Sequence, residues 1–189
     1  MADVECSESE IPVGVWPRRS SEAVGDYRVF RVKRELCLDP RDNSEHDFFV
    51  IEAPDWINVV PVTTDGRLIL IEQYRHGTGE VTLEIPGGMV DENESPADAA
   101  ARELLEETGY RAGQVELLGR TRPNPALQNN WLHTFVARDC VPTGSQKLDG
   151  SEHIAVRLVA PAEALDLIER GVIDHSLVVT AFYLFKNTQ

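Results

Sequence analysis

Cysteine is scarce in this sequence of 189 residues, which contains three. Cys6, Cys37 and Cys140 lie far apart and form no metal-ligand or redox spacing. This argues against a disulfide framework and against a cysteine-based zinc site. The simplest interpretation is that all three are free thiols in a reducing compartment.

Long apolar runs and targeting signals are also lacking. The longest apolar candidate, residues 177–185, is interrupted by Thr180 and is too short to span a bilayer. The N-terminal segment has neither the basic stretch nor the apolar core of a signal peptide. We therefore expect a cytoplasmic protein that does not associate with membranes.

Positive charge is in deficit, because 18 basic residues oppose 32 acidic ones and give a formal net charge of −14. A phosphate backbone favours basic surfaces, so long nucleic acid is disfavoured as a partner. The same charge would repel a small pyrophosphate unless metal ions and a few arginines reverse the field locally.

The composition is otherwise that of an ordinary globular protein, with 42% hydrophobic and 26% charged residues. This length predicts one domain with a sizeable core and a small appended N-terminal unit. Residues 1–26 are polar, contain two prolines and show no sustained period, so we predict a tail or an irregular edge segment. Trp16 is the exception, and we interpret it as a hydrophobic anchor for this segment.

Strand and helix patterns follow one another along the rest of the chain. We predict strands at residues 27–38, 48–52, 57–62, 68–74, 81–85, 115–121, 132–137 and 152–159, and helices at residues 96–108, 161–170 and 173–186. This order predicts an α+β fold with a mixed sheet between helices. Residues 27–55 would form a small antiparallel β subdomain, and residues 56–189 the main domain.

Residues 84–110 carry the most informative pattern. A Pro-Gly-Gly turn and an acidic loop lead into a helix with Ser95 as its N-cap, Pro96 at its first position and Gly109 as its C-terminal cap. Helical offsets of three and four residues place three glutamates on one face, where they repel one another unless a cation lies among them. An ordinary solvated acidic helix is the alternative. The predicted apolar stripe comprises Ala97, Ala100, Ala101, Leu104, Leu105 and Thr108.

The spacing in this stretch is far more specific than a run of acidic residues. From Gly88 to Tyr110 it reads G-x5-E-x7-R-E-L-x-E-E-x-G followed by an apolar residue. This pattern resembles the Nudix box and is complete at every position. The resemblance implies the α/β/α sandwich of the Nudix fold and a hydrolase that acts on a nucleoside diphosphate linked to another group.

Carboxylate-rich sites suit hard cations, so we expect Mg²⁺ or Mn²⁺ as the cofactor. The resemblance assigns metal ligation to the backbone carbonyl of Gly87 and the carboxylates of Glu103, Glu106 and Glu107. It also places Arg102 in the catalytic machinery. We expect Arg102 to pair with Glu94 or with the box glutamates, which would fix the acidic loop to the helix.

Residues outside the box narrow the resemblance to one branch. Three features are similar to those of the ADP-ribose and nucleoside diphosphate sugar pyrophosphatases. They are Gln73-Tyr74-Arg75, the strand that enters the Pro-Gly-Gly turn, and Pro125. In that branch the N-terminal strands pair two subunits. A homodimer is therefore implied, with residues 27–55 as the dimerisation element.

The resemblance also suggests residues that contact the substrate. Arg75 is a candidate for binding the diphosphate, although it could instead be a strand-end arginine paired with a nearby carboxylate. Glu84 precedes the turn and helps to hold the site. Trp56 would stack on a base or pack against the sheet. Beyond Pro125, the amide of Asn130 is a candidate for reading a sugar or a base.

The catalytic base is the open assignment. In related ADP-ribose pyrophosphatases a mobile loop before a late strand carries closely spaced acids, and here that loop is residues 147–153. Glu152 matches the later acid and is a candidate for both base and metal ligand, while Gly150 occupies the position expected for the basic carboxylate. The role of base therefore falls to Glu152, to Asp149 or to Glu106.

The function expected is Mg²⁺-dependent hydrolysis of ADP-ribose or a related nucleoside diphosphate sugar to a nucleoside monophosphate and a sugar phosphate. The same chemistry could instead serve a dinucleoside polyphosphate, an oxidised nucleoside triphosphate or an RNA 5′ end. A nucleotide sensor without catalysis is the alternative from another class, and the intact box disfavours it.

Overall fold

A computed structural model describes residues 13–148, 150 and 152–186. Cys6 and the candidate base Asp149 lie outside the described residues. Two compact units are formed, one by residues 13–53 with Asn124–Asn129 and the other by Pro54–Pro123 with residues 130–186.

The first unit is built on a small antiparallel sheet in the order β1-β2-β3. Its strands are β1 (Arg18–Asp26), β2 (Arg31–Leu38) and β3 (Glu45–Glu52). The prediction of an irregular segment is wrong for β1, which is exposed along almost its whole length and therefore lacks the apolar alternation that marks a strand. Backbone pairing with β2 holds it instead.

Side-chain packing in the first unit confirms Trp16 as an anchor. Its ring lies edge-on to Phe48, with 5.3 Å between ring centroids, and to His46 at 5.5 Å. The segment Asn124–Asn129 joins this unit because the Ile51 amide donates to Leu127 O at 2.7 Å.

The second unit contains a mixed sheet in the order β11-β5-β4-β10-β8, to which β6, β7 and β9 are added by pairing with β5, β4 and β10. The pairing of β4 with β10 is parallel, and the other pairings are antiparallel. The strands are β4 (Trp56–Thr63), β5 (Leu68–Arg75), β6 (Glu80–Glu84), β7 (Gly87–Met89), β8 (Tyr110–Arg111), β9 (Gln114–Thr121), β10 (Leu132–Pro142) and β11 (Ile154–Val159).

Helices cover both faces of this sheet. The helices are α1 (Pro96–Thr108), α2 (Pro161–Glu169) and α3 (Ser176–Phe185). Along β4, Val59 packs in the core cluster that contains α1 residues, and Val60 packs in the cluster that contains α2 and α3 residues. Successive buried side chains of β4 therefore pack against helices on opposite faces of the sheet. The predicted α+β fold with a sheet between helices is confirmed.

Within the described part of the chain, none of the helices combines the length and the apolar character that crossing a bilayer requires. The last helix begins at Ser176 rather than at the predicted residue 173. This difference matters at the site, because it places His175 at the N-cap of α3.

Candidate active site

The Pro-Gly-Gly turn is fixed by its two glycines. Gly87 and Gly88 start β7 and pair with Asn58 and Ile57 of β4. A Cβ atom on Gly87 would lie 2.6 Å from Ile57 O, and one on Gly88 would overlap the Glu103 carboxylate. Only glycine therefore lets the turn approach both the sheet and the glutamates of α1.

The ends of α1 match the sequence prediction. Ser95 Oγ accepts a hydrogen bond from the Asp98 amide at 3.2 Å and donates to the Asp98 carboxylate at 2.6 Å. Gly109 adopts the left-handed conformation, with φ at 71°, and its amide donates to Leu105 O. These caps stabilise the helix that presents the box.

The buried face of α1 differs from the predicted stripe. Ala97 and Ala101 are exposed, so the prediction is wrong for both. The residues that are buried are Ala99, Ala100, Leu104, Glu107 and Thr108. One carboxylate therefore faces inward, which an apolar pattern does not reveal.

Glu107 is the most deeply placed of the box glutamates, with 3% of its surface exposed. Its Oε2 accepts a hydrogen bond from the Gly87 amide at 3.0 Å. Burial raises the pKa of Glu107 to about 8, and repulsion from Glu103 and Glu152 adds to the shift, while the Gly87 hydrogen bond opposes it. Burial also raises the pKa of Glu103. A nearby cation would favour the charged form of both carboxylates and lower their pKa values.

Arg102 connects the acidic loop to the helix, as predicted. Its guanidinium donates to Glu94 at 2.9 Å through two nitrogens, and to Glu103 at 2.8 Å and Glu106 at 3.3 Å. It also donates to Met89 O at 3.1 Å. Arg102 therefore fixes the positions of two box glutamates relative to the turn.

Glu152 belongs to a loop that returns to α1. The Lys147 amide donates to Glu106 O at 2.9 Å, which ties this loop to the helix. The Glu152 side chain is exposed, and its charge acts on Glu103, Glu107 and Arg75. The structure thus brings this candidate base into the electrostatic field of the box.

The box residues fit a divalent cation. The buried Glu107 lies beside Gly87 and the partly buried Glu103 lies beside Gly88. Both carboxylates have raised pKa values, and all of these groups offer oxygen atoms. Across residues 13–148, 150 and 152–186, no three acidic, histidine or cysteine side chains already converge on one point. Mg²⁺ commonly takes only one or two carboxylates and completes its shell with water and substrate oxygens, so an open arrangement of this kind suits it.

Arg75 is paired with a carboxylate, which was the alternative to a free diphosphate-binding arginine. Its Nε and Nη2 donate to Glu84 at 2.8 and 2.7 Å. Thr82 Oγ1 donates to the same carboxylate at 2.6 Å, and His175 Nδ1 lies 3.0 Å from it. Burial alone would raise the pKa of Glu84, but these hydrogen bonds outweigh it and hold the pKa well below the usual range.

A cavity of about 730 Å³ adjoins this network. Arg75, Glu84, Trp56 and both glycines of the turn line it, together with the start of α3. The structure therefore brings these sequence-predicted residues together at one opening. Its volume is in the range of small-molecule sites.

Two other predicted residues lie elsewhere. Asn130 does not line the cavity but is buried, and its Nδ2 donates to Pro54 O at 3.1 Å. Pro125 is an exposed residue of the first unit. Their substrate-binding roles stay predictions.

Among the cavity residues that the sequence did not predict, His175 and Asn58 make the most informative contacts. The predicted last helix began at residue 173 and therefore contained His175. Histidine is not a preferred N-cap residue, so no signal in the sequence indicates that the helix begins after it. Asn58 did carry a signal, because it is the one amide in the otherwise apolar run 57–62.

Comparisons with known proteins agree with this geometry. The NUDIX domain family matches residues 54–182. The ADP-ribose pyrophosphatase of Bacillus subtilis is 31% identical over 137 residues, which cover 71% of this chain and 74% of the relative. The ADP compounds hydrolase NudE of Escherichia coli is 31% identical over 132 residues, or 69% of each chain.

A solved structure shares the whole fold. The crystal structure of an ADP compounds hydrolase superposes with a TM-score of 0.82 at 25% sequence identity, covering 93% of this chain and 94% of that one. The match includes the three-stranded sheet as well as the domain that carries the box, since so little of either chain is left out. With its complete box, its sheet between helices and these relatives, the chain belongs to the NUDIX domain family and is a Nudix hydrolase.

Proposed function

We propose that this enzyme hydrolyses the diphosphate linkage of ADP-ribose or a related nucleoside diphosphate sugar, with Mg²⁺ or Mn²⁺, to a nucleoside monophosphate and a sugar phosphate. The observation that carries the proposal is the position of the buried Glu107 and the partly buried Glu103 against the turn at Gly87 and Gly88, where that turn lines a cavity that Arg75 also lines. The names of the relatives from B. subtilis and E. coli support an ADP-linked substrate.

The box supplies the groups that would hold the metal. Glu103, Glu107 and the Gly87 carbonyl would provide ligands, with Glu106 and Glu152 available for further ions. A bound divalent ion polarises a phosphoryl oxygen and lowers the pKa of a coordinated water. The protein's part is to hold the carboxylates in place, and the hydrogen bonds of Arg102 do this for Glu103 and Glu106.

Arg75 would bind the diphosphate while paired with Glu84. The carboxylate occupies Nε and Nη2 of the guanidinium, which leaves Nη1 for a phosphate oxygen. The side chain of Arg75 is 42% exposed and lines the cavity, so a ligand can reach it. Glu84 would thus orient the arginine rather than contact the substrate.

Glu152 is our choice for the catalytic base. Arg102 donates to Glu106 at 3.3 Å and holds it on the helix, and Glu152 lies exposed on a loop whose Lys147 amide bonds to the end of α1. A proton acceptor must reach a water near the metal, and an exposed carboxylate whose charge acts on Glu103 and Glu107 is placed to do so.

The test is Glu107→Gln assayed on a substrate panel with chromatographic identification of products. The wild type should convert ADP-ribose or an ADP-sugar to AMP, and the variant should lose at least a hundredfold in kcat, about 2.7 kcal/mol of transition-state stabilisation. With metal chelated, the variant should unfold at no lower urea concentration than the wild type, because burial disfavours the charge that glutamine removes. Full turnover by the variant would contradict the metal assignment, and cleavage of only dinucleoside polyphosphates or capped RNA would contradict the substrate.

A further inference from the structure

One wall of the cavity contains a buried acceptor without a donor. Asn58 is 5% exposed and lines the cavity, and its Nδ2 donates to Leu177 O at 3.0 Å. This hydrogen bond fixes the orientation of the amide. Asn58 Oδ1 has no hydrogen-bond partner among residues 13–148, 150 and 152–186. A buried acceptor left unpaired is costly, so the site favours an occupant that donates a hydrogen bond.

The start of α3 adds donors to the same wall. His175, Ser176 and Leu177 line the cavity, and the first amides of a helix have no intrahelical acceptor. The N-cap side chain does not satisfy them, because His175 makes no capping hydrogen bond and its Nδ1 is directed to Glu84. An acceptor atom of a ligand can therefore bind at this helix start, in the cavity that Asn58 also lines.

The charges of the lining argue against a second anion. The positive charge of Arg75 is already paired with the Glu84 carboxylate, and Asp174 adds a further negative charge to the lining. A group that both donates and accepts hydrogen bonds but carries no charge satisfies Asn58 and the helix amides together. A hydroxyl has these properties, and Trp56 and Leu132 provide apolar surface for a sugar ring.

We propose that Asn58 and the first turn of α3 form a subsite for a sugar hydroxyl of the substrate. The subsite rests on the proposed function in that the sugar is attached to the diphosphate held by Arg75. The hydroxyl donates to Asn58 Oδ1 and accepts from the Ser176 amide. It belongs to the distal sugar or to the nucleoside ribose, and the ligands below separate these two sources.

A proline at position 176 removes one donor with little effect on the fold. His175 has φ −65° and ψ 114°, the extended conformation that precedes proline, and proline suits the first position of a helix. The chain already uses this arrangement at Pro161, the first residue of α2. Ser176→Pro therefore deletes the amide hydrogen, and Ser176→Ala is the matched control that keeps it.

Calorimetry with non-hydrolysable ligands tests the subsite without turnover. We expect Ser176→Pro to weaken binding of α,β-methylene ADP-ribose about tenfold relative to Ser176→Ala. Asn58→Ala should weaken it by at least as much, which keeps a test available if the proline variant does not fold. If α,β-methylene ADP is unaffected, the hydroxyl is that of the distal sugar, and if it is weakened equally, the hydroxyl is that of the nucleoside.

Unchanged affinity for both ligands in folded Ser176→Pro and Asn58→Ala would overturn the subsite. That result would be expected if a trapped water satisfied Asn58 Oδ1 through Thr134, its buried register partner on β10, whose Oγ1 also lacks a partner among the described residues. Failure of the proposed function is a separate outcome, because it is measured as the absence of AMP release from ADP-ribose by the wild type, whereas the subsite is measured by binding of ligands that are not hydrolysed.

Discussion

Replacement of Glu84 by glutamine tests the network that holds Arg75. The carboxylate is 2% exposed and accepts hydrogen bonds from Arg75 twice, from Thr82 and from His175. Glutamine keeps the shape but turns one acceptor oxygen into a donor. Two of the four donors would then face an amide nitrogen.

The cost follows from these contacts. A hydrogen bond to a buried charge contributes about 1.5–3 kcal/mol, and removing one partner of a fully buried pair costs about 3–5 kcal/mol. The Arg75 side chain is 42% exposed and regains water when released, which reduces the loss. We therefore expect Glu84→Gln to lower the free energy of unfolding by about 2–3 kcal/mol at neutral pH.

Urea denaturation at several pH values measures this difference. The folded pKa of Glu84 is lowered, so its contribution is fully present above the unfolded pKa, about 4.5, and is lost as the pH falls through the folded value. The gap between wild type and variant should stay constant from about pH 5 to 8 and narrow in stronger acid. Glu80→Gln, an exposed change on the same strand, is the control. A Glu84→Gln loss below about 0.5 kcal/mol would refute the reasoning, because surface substitutions produce changes of that size.

Two further predictions concern the turn and the assembly. Gly88→Ala should reduce kcat/KM more than tenfold with a smaller effect on melting temperature, because the added methyl group displaces the Glu103 carboxylate; normal kinetics would contradict the close approach. The enzyme should be a homodimer paired through its first unit, where Phe49 is 56% exposed, and light scattering should give twice the chain mass of 21.1 kDa. Phe49→Glu should give the monomer mass, and an unchanged dimer would place the interface elsewhere.

Local patterns in the sequence predicted the helix of the box closely. The N-cap, the proline at the first position and the C-terminal glycine act through neighbouring backbone groups, so their effect can be deduced without the rest of the chain. The pairing of Arg102 with Glu94 was also expected, since both belong to one contiguous loop and helix.

Patterns of polarity failed where long-range contacts decide burial. The strand Arg18–Asp26 was missed because its stability comes from pairing with β2 and not from an apolar face. The inward position of Glu107 was missed because an apolar stripe assigns charged residues to the exposed side. Only the sheet under α1 determines which residues are covered.

Residue spacing was enough to identify the family and the shared face of the box glutamates, because helical offsets of three and four residues place these carboxylates together whatever surrounds them. The surroundings of that face depend on the packing of the whole chain. That packing sets Glu107 against the Gly87 amide, pairs Arg75 with Glu84, and brings His175 across 91 residues to the same carboxylate. Those contacts join strands and helices that are distant in the chain, and their positions depend on how the whole core packs.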